Sequence, residues 1–129
     1  MGTFTVKATV RNPNDPTRVA EAECWVDTGA LYSQLPRSLL GDLGIASTGT
    51  RRVLLADGRE EDVNLAEARF QVDGQEATTV VIFGNETAPA LLGAVALESL
   101  GLGVDPGSKR LVPIVAPMFL ISSRIQNKN

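Results

Sequence analysis

Cys24-Trp25-Val26-Asp27-Thr28-Gly29-Ala30 carries a largely apolar stretch straight into an acid and a turn. Burial disfavours a carboxylate, so an acid delivered this way needs hydrogen bonds, a proton or a shared site. Gly29 lets the backbone turn sharply and approach another group closely. Its amide is then available to the acid, and the Thr28 hydroxyl is available to brace the loop. Such a segment holds a carboxylate rigidly at the end of a strand. Asp-Thr-Gly is also ordinary turn chemistry, so the tripeptide alone leaves both a catalytic acid and a plain turn open.

Working outward, the dominant period is two, which makes this a β protein. Phe4, Val6, Ala8 and Val10 share one face of a first strand, and Thr5, Lys7 and Thr9 the other. Asn12-Pro13-Asn14-Asp15-Pro16 breaks the chain with strong turn residues. A second strand over Val19–Val26 places Ala20, Ala22, Cys24 and Val26 on one side and Glu21 and Glu23 on the other. Beyond the acid, a short extended piece over Tyr32–Leu35 leads to Pro36, which opens a helix through Leu43 that Gly44 ends. Strands are expected over Arg51–Leu55 and Asp62–Val72, joined through Ala56-Asp57-Gly58-Arg59, and over Thr78–Phe83 after the turn at Asp73-Gly74. Ala90-Leu91-Leu92 is a short apolar strand running into Gly93. Helical spacing holds over Ala94–Leu100, and Gly101 supplies the stop. A last hairpin turns at Asp105-Pro106-Gly107 and returns over Arg110–Val115.

Composition narrows the chemistry. A chain of 129 residues, 43% hydrophobic and 21% charged, suits one soluble globular domain with its own core. The net charge of −3 and 5% aromatic content give no reason to expect nucleic acid or an anionic membrane as partner. The lone cysteine, Cys24, excludes an internal disulfide and suits a reducing compartment. There is no histidine, which removes Ser-His-Asp and Cys-His mechanisms and most zinc hydrolase chemistry. Hydrolytic chemistry here must run on carboxylates, lysine, hydroxyls or a borrowed metal, and neither a cofactor nor a metal site is expected. No apolar run approaches the roughly 20 residues of a membrane span. The start lacks the basic and apolar regions of a signal peptide. A cytoplasmic protein is the default expectation, and a domain cut from a larger protein would read the same way.

The run Asp27-Thr28-Gly29-Ala30-Leu31-Tyr32-Ser33-Gln34-Leu35-Pro36 resembles the catalytic loop of retropepsin-like aspartic proteases, especially the small bacterial members. The later parts follow in that family's order. Val53–Val63 stands where the flap hairpin belongs, with Asp57-Gly58 near its tip. Leu91-Leu92-Gly93 matches the second motif, and Ala94–Leu100 the helix behind it. The resemblance spans about Thr3 to Val115, within a domain placed at residues 1–117.

The resemblance implies an all-β, closed retropepsin-like β-barrel with one or two short helices, one lobe per chain. It implies an aspartic endopeptidase with Asp27, Thr28 and Gly29 in the catalytic loop. Flap and groove contacts to substrate would come from Ala30, Leu31, Leu55, Ala56, Asp57, Gly58, Leu91 and Leu92. The chemistry needs two carboxylates sharing a proton. None of Asp15, Asp42, Asp57, Asp62, Asp73 or Asp105 is followed by Thr-Gly or Ser-Gly, so the second acid must come from a second copy. A homodimer with Asp27 on its twofold axis supplies it. Retroviral members usually carry an Asp two positions after the catalytic Gly and an Arg after the second-motif Gly. Here those positions are Leu31 and Ala94, so that brace of site and dimer is replaced as a pair.

The remaining features read more plainly. Arg51-Arg52 could meet an acidic substrate, though a basic pair at a strand start reads first as solvated surface, and Glu60-Glu61-Asp62 lacks the spacing of a cation loop. Trp25 belongs to core or interface, and Cys24 is a small buried hydrophobe. The tail, 118–129, begins with an apolar piece over Met118–Ile121 that is either an added strand or a partner contact, and ends polar. Two further readings stand beside the peptidase: a dimerising or peptide-binding module of the same fold without useful turnover, and a subunit inactive until a larger protein brings two copies together.

Overall fold

The computed structural model describes residues 4–118 and is mostly β. The first hairpin joins β1 (Thr5–Asn12) to β2 (Asp15–Val26), antiparallel from Thr5↔Trp25 to Arg11↔Val19. Its turn is shorter than the sequence expectation, because Asp15 and Pro16 already lie in β2. Pro16 is tolerated there because it stands at the exposed first end of the strand. Asn12 explains the compact turn. Its buried side chain accepts the Asn14 N–H at 2.8 Å and donates to the Leu43 carbonyl at 2.9 Å. Ala8, Val10, Cys24 and Val26 are buried, as the alternation requires.

After the acid come β3 (Ser33–Pro36) and α1 (Arg37–Asp42). Pro36 ends the strand and caps the helix, since its fixed φ of −56° suits a helix entry. Leu43 is the C-cap, and Gly44 follows at φ +73°. The Gly44 N–H bonds to Gly41 O at 2.9 Å and Ile45 N–H to Leu40 O at 3.0 Å, with Leu40 and Ile45 both buried. This paired pattern closes the helix end in the Schellman manner.

β4 (Gly49–Leu54), β5 (Glu60–Val72) and β6 (Gln75–Gly84) follow. The two Asp-Gly pairs do different work. Asp73 and Gly74 both have positive φ, 51° and 79°, as a two-residue type I′ hairpin turn requires. At the β4–β5 tip only Gly58 is positive, at 89°. There Leu55 N–H bonds to Arg59 O and Gly58 N–H to Leu55 O, giving a three-residue loop. β7 (Leu91–Leu92) leads into α2 (Ala94–Leu100), whose stop at Gly101 has φ 69°. β8 (Leu102–Asp105) and β9 (Arg110–Pro113) make a separate hairpin. Its turn is longer than Asp105-Pro106-Gly107, and β9 stops at Pro113 rather than Val115, beyond which Ile114 and Val115 are exposed.

Strand neighbours run β1-β2-β7-β3-β6-β5-β4, and β1 also pairs with β5 through Thr9↔Gln71, Val10↔Phe70 and Arg11↔Arg69. The pairings therefore return on themselves around six strands. β4 and β1 share one edge of β5, opposite different lengths of it. The core inside includes Phe70, Leu35, Leu40, Leu92, Val10, Val72 and Val81, with Ala96, Leu97 and Leu100 of α2 packed on it. Of the tail, Met118 is exposed and residues 119–129 lie outside the described residues.

Two substitutions test this packing. Phe70→Ala, at a site with no exposure, is expected to cost about 3–5 kcal/mol, read as a lower urea midpoint at unchanged slope. Gly41→Ala meets nothing within 4 Å in α1. It is expected to raise stability by about 0.4–1 kcal/mol.

Candidate active site

Asp27 stands just past the end of β2, where the ladder with β7 still holds its backbone. Trp25 N–H donates to Ala90 O at 2.8 Å and Asp27 N–H to Leu92 O at 3.0 Å, around the parallel pairs Trp25↔Leu91 and Val26↔Leu92. The turn expected of Thr28-Gly29 is present. Ala30 N–H donates to Asp27 O at 3.2 Å, and Gly29 N–H donates to the Asp27 carboxylate Oδ1 at 3.0 Å. A side chain at position 29 would set its Cβ 3.3 Å from that same oxygen, so glycine keeps the carboxylate's position clear. Asp27 is half-buried, and Thr28 and Gly29 are exposed beside it.

The second motif locks the loop from behind. A Cβ at Gly93 would lie 2.6 Å from the Tyr32 carbonyl and 2.9 Å from Ala30 O, a space that admits hydrogen only. Across this contact Gly93 N–H donates to the buried Ser33 Oγ at 3.0 Å. Ala94 N–H reaches Ala30 O at 2.8 Å, and Val95 N–H reaches Leu31 O at 3.0 Å. At Leu31 and Ala94, where the side-chain brace of the retroviral pattern is lacking, backbone bonds tie the two segments together. Ser33 was not singled out from sequence, because a Ser within an apolar loop carries no signal until its partner is known.

The β4–β5 hairpin lies against this loop. Two cavities lie between them. One, of about 400 Å³, is lined by Gly29–Tyr32 and Arg51–Leu54. The other, of about 420 Å³, is lined by Asp27, Gly29, Ala30, Leu54, Leu55, Ala56 and Leu91. They share Gly29, Ala30 and Leu54, so together they form one groove that passes the acid. Leu31 is 57% exposed and Leu54 72%, an apolar pair on opposite walls that water alone does not favour.

Most expected contact residues meet at this groove: Ala30, Leu31, Leu55, Ala56 and Leu91 line it. Three do not. Leu92 is 0% exposed and belongs to the core, because alternation along β7 turns Leu91 to the groove and its neighbour inward. Asp57 is occupied by its own turn. Arg59 donates to its carboxylate from the backbone N–H at 3.0 Å and from Nε at 2.7 Å, holding its pKa below the ordinary carboxylate value. Gly58 serves the left-handed corner. Leu54 lines the groove as well, and so do Arg51 and Arg52, for which solvated surface is the first reading of the sequence. Arg51 sits over the Tyr32 ring, 5.7 Å from its centroid, and donates to the Tyr32 hydroxyl at 2.6 Å. Arg52 pairs with Glu60 at 3.0 Å and Asp62 at 3.1 Å across the flap ladder.

Cys24 is buried, and burial pushes its thiol up to about 12, so it is an inert core residue. Among the described residues no group of three or more His, Cys, Asp or Glu could hold a metal ion, and no helix is long and apolar enough to cross a membrane.

No protein-family model matches the chain, and no curated protein matches it. Among solved structures, the fold is similar to the solution structure of simian foamy virus (mac) protease. The TM-score is 0.53 at 17% identity, over 73% of this chain and 91% of that one. At that identity the likeness speaks for the fold. It agrees with the retropepsin-like reading of the sequence and carries nothing for the narrower placement among bacterial members.

The lock behind the loop is testable. Gly93→Ala is expected to cost about 1–3 kcal/mol by overpacking against the Tyr32 backbone. Ser33→Ala is expected to cost about 1–3 kcal/mol, because it leaves the Gly93 N–H buried without an acceptor. Chemical denaturation at fixed protein concentration measures both.

Proposed function

We propose that this protein is an aspartic endopeptidase whose active site is completed by a second copy of the chain. The observation that carries the reading is the placement of Asp27: a half-buried carboxylate, held by the Gly29 N–H, on a groove roofed by a hairpin. The fold likeness to a viral protease supports it, and so does the absence of histidine from the chain.

On this reading two Asp27 carboxylates face one another across a twofold axis and share a proton. The unprotonated carboxylate takes a proton from water, whose oxygen attacks the peptide carbonyl carbon. The protonated carboxyl gives its proton to the carbonyl oxygen, forming a neutral tetrahedral diol. Collapse of the diol re-forms the carbonyl and breaks the C–N bond, as a proton passes to the departing nitrogen. Thr28 and Gly29 hold the acid in place, and Ala30, Leu31, Leu54, Leu55, Ala56 and Leu91 bind an extended peptide with apolar side chains. The ring of strand pairings supports a closed barrel as one lobe of such a dimer.

A second reading keeps the fold and the dimer but not the turnover: a module that binds peptides in the same groove. It is favoured by Leu31 and Ala94, where the retroviral brace residues are replaced and the two segments are linked by backbone bonds and by Gly93 N–H on Ser33 Oγ.

Asp27→Asn is expected to lower peptide cleavage by roughly 10²–10⁴-fold while circular dichroism and melting stay unchanged. Equal cleavage by the variant would sink the peptidase reading. Wild-type protein that binds peptides and cuts none would favour the module. Sedimentation over a concentration series is expected to show activity tracking the dimer.

A further inference from the structure

We propose that Arg51 makes this groove select peptides with an acidic side chain, Glu or Asp, beside an apolar stretch. The inference rests on the groove's binding a peptide and names the chemistry of one of its subsites.

The arginines on and near the flap differ in how their charge is met. Arg52 has Glu60 and Asp62, Arg59 has Asp57, and Arg69 has Glu76 at 3.6 Å. For Arg51, the polar partner among the described residues is the neutral Tyr32 hydroxyl, with the ring of the same residue beneath the guanidinium. Tyr32 therefore holds the group in place without cancelling its charge. A guanidinium carries five N–H donors, and one hydroxyl takes one of them. The remaining donors suit the two oxygens of a carboxylate.

The surroundings favour that occupant. Arg51 shares its 400 Å³ cavity with Leu31, Val53 and Leu54, walls that fit the methylene stem of an acidic side chain. A peptide lying there displaces water, which lowers the local dielectric and strengthens the pairing. Stacking on Tyr32 restrains the long Arg51 side chain before the peptide arrives, so less rotamer freedom is lost on binding. With two copies forming the site, one Arg51 stands on each side of the cut bond, and the preference is expected on both sides.

The test uses peptides acetylated and amidated at their ends, so that only a side chain supplies a carboxylate. Each carries a single Glu, or Gln in its place, at successive positions of a cleaved sequence. The wild type is expected to show kcat/KM about tenfold higher for Glu than Gln at a position on either side of the cut. Arg51→Gln is expected to bring that ratio to about one, and Arg51→Glu to invert it. Excess salt is expected to shrink the wild-type ratio. The same peptides are titrated by fluorescence anisotropy onto Asp27→Asn with and without Arg51→Gln, which reads the preference without turnover. Glu preference in binding, lost with Arg51→Gln but with no cutting by the wild type, upholds the Arg51 assignment and overturns the peptidase reading. Cutting with no Glu preference, or a preference that Arg51→Gln leaves intact, overturns the assignment and leaves the peptidase standing. Peptides neither bound nor cut overturn both.

Discussion

The architecture of the site depends on one close approach: Gly93 against the backbone of Ala30–Tyr32. Nothing larger than hydrogen fits between the Gly93 Cα and the Tyr32 carbonyl. Because the two backbones meet so nearly, β7 can lie between β2 and β3, parallel to one and antiparallel to the other. That position carries the hydrogen bond from Asp27 N–H to Leu92 O and the three bonds that fasten Ser33, Ala30 and Leu31 from behind. A carboxylate in a half-buried place must be held by fixed donors rather than by mobile water, and this contact keeps the Gly29 amide where it is.

The groove above the loop is built on different physics. The outer half of the hairpin, β4 with the first residues of β5, has no third strand among the described residues and is largely exposed. Its ion pairs, Arg52 with Glu60 and Asp62 and Arg59 with Asp57, lie on the surface, where water and salt screen them. A rigid loop fixed by buried backbone contacts thus faces a roof held by a two-stranded ladder and a tight turn. Regions with few buried apolar contacts are those that open most easily, so the hairpin is the more mobile wall of the groove.

Alternation and turn chemistry made much of this legible. The buried row Ala8, Val10, Cys24 and Val26, the stop of α1 at Gly44 and the span of α2 all follow from local pattern. Where placement was not legible, the reasons differ. Leu91 and Leu92 are both apolar neighbours of Gly93, and only the register Val26↔Leu92 shows which of them turns into the core. Arg51 and Arg52 read alike in sequence. Pairing across the β4–β5 ladder gives Arg52 its acids, and the fold over the catalytic loop gives Arg51 its tyrosine. Asp57 reads as a flap-tip contact, yet Arg59 two residues on satisfies it locally.

What the sequence determined by itself is the kind of scaffold and which residues are candidates for its chemistry. Period-two patterning, Gly and Asp turns, Asp27-Thr28-Gly29, Leu91-Leu92-Gly93 and the lack of histidine are properties of neighbouring residues or of composition. The tertiary structure decided which side chains share a space. The Asp27 loop and the β4–β5 hairpin are well apart in the chain and β7 lies further still, and their meeting depends on strand register and on a close approach at Gly93 that leaves no room for a Cβ. Register is set by the whole sheet at once, and shifting it by one residue exchanges the faces of a strand. That is why Leu92 went to the core, Leu54 to the groove, and Arg51 to Tyr32.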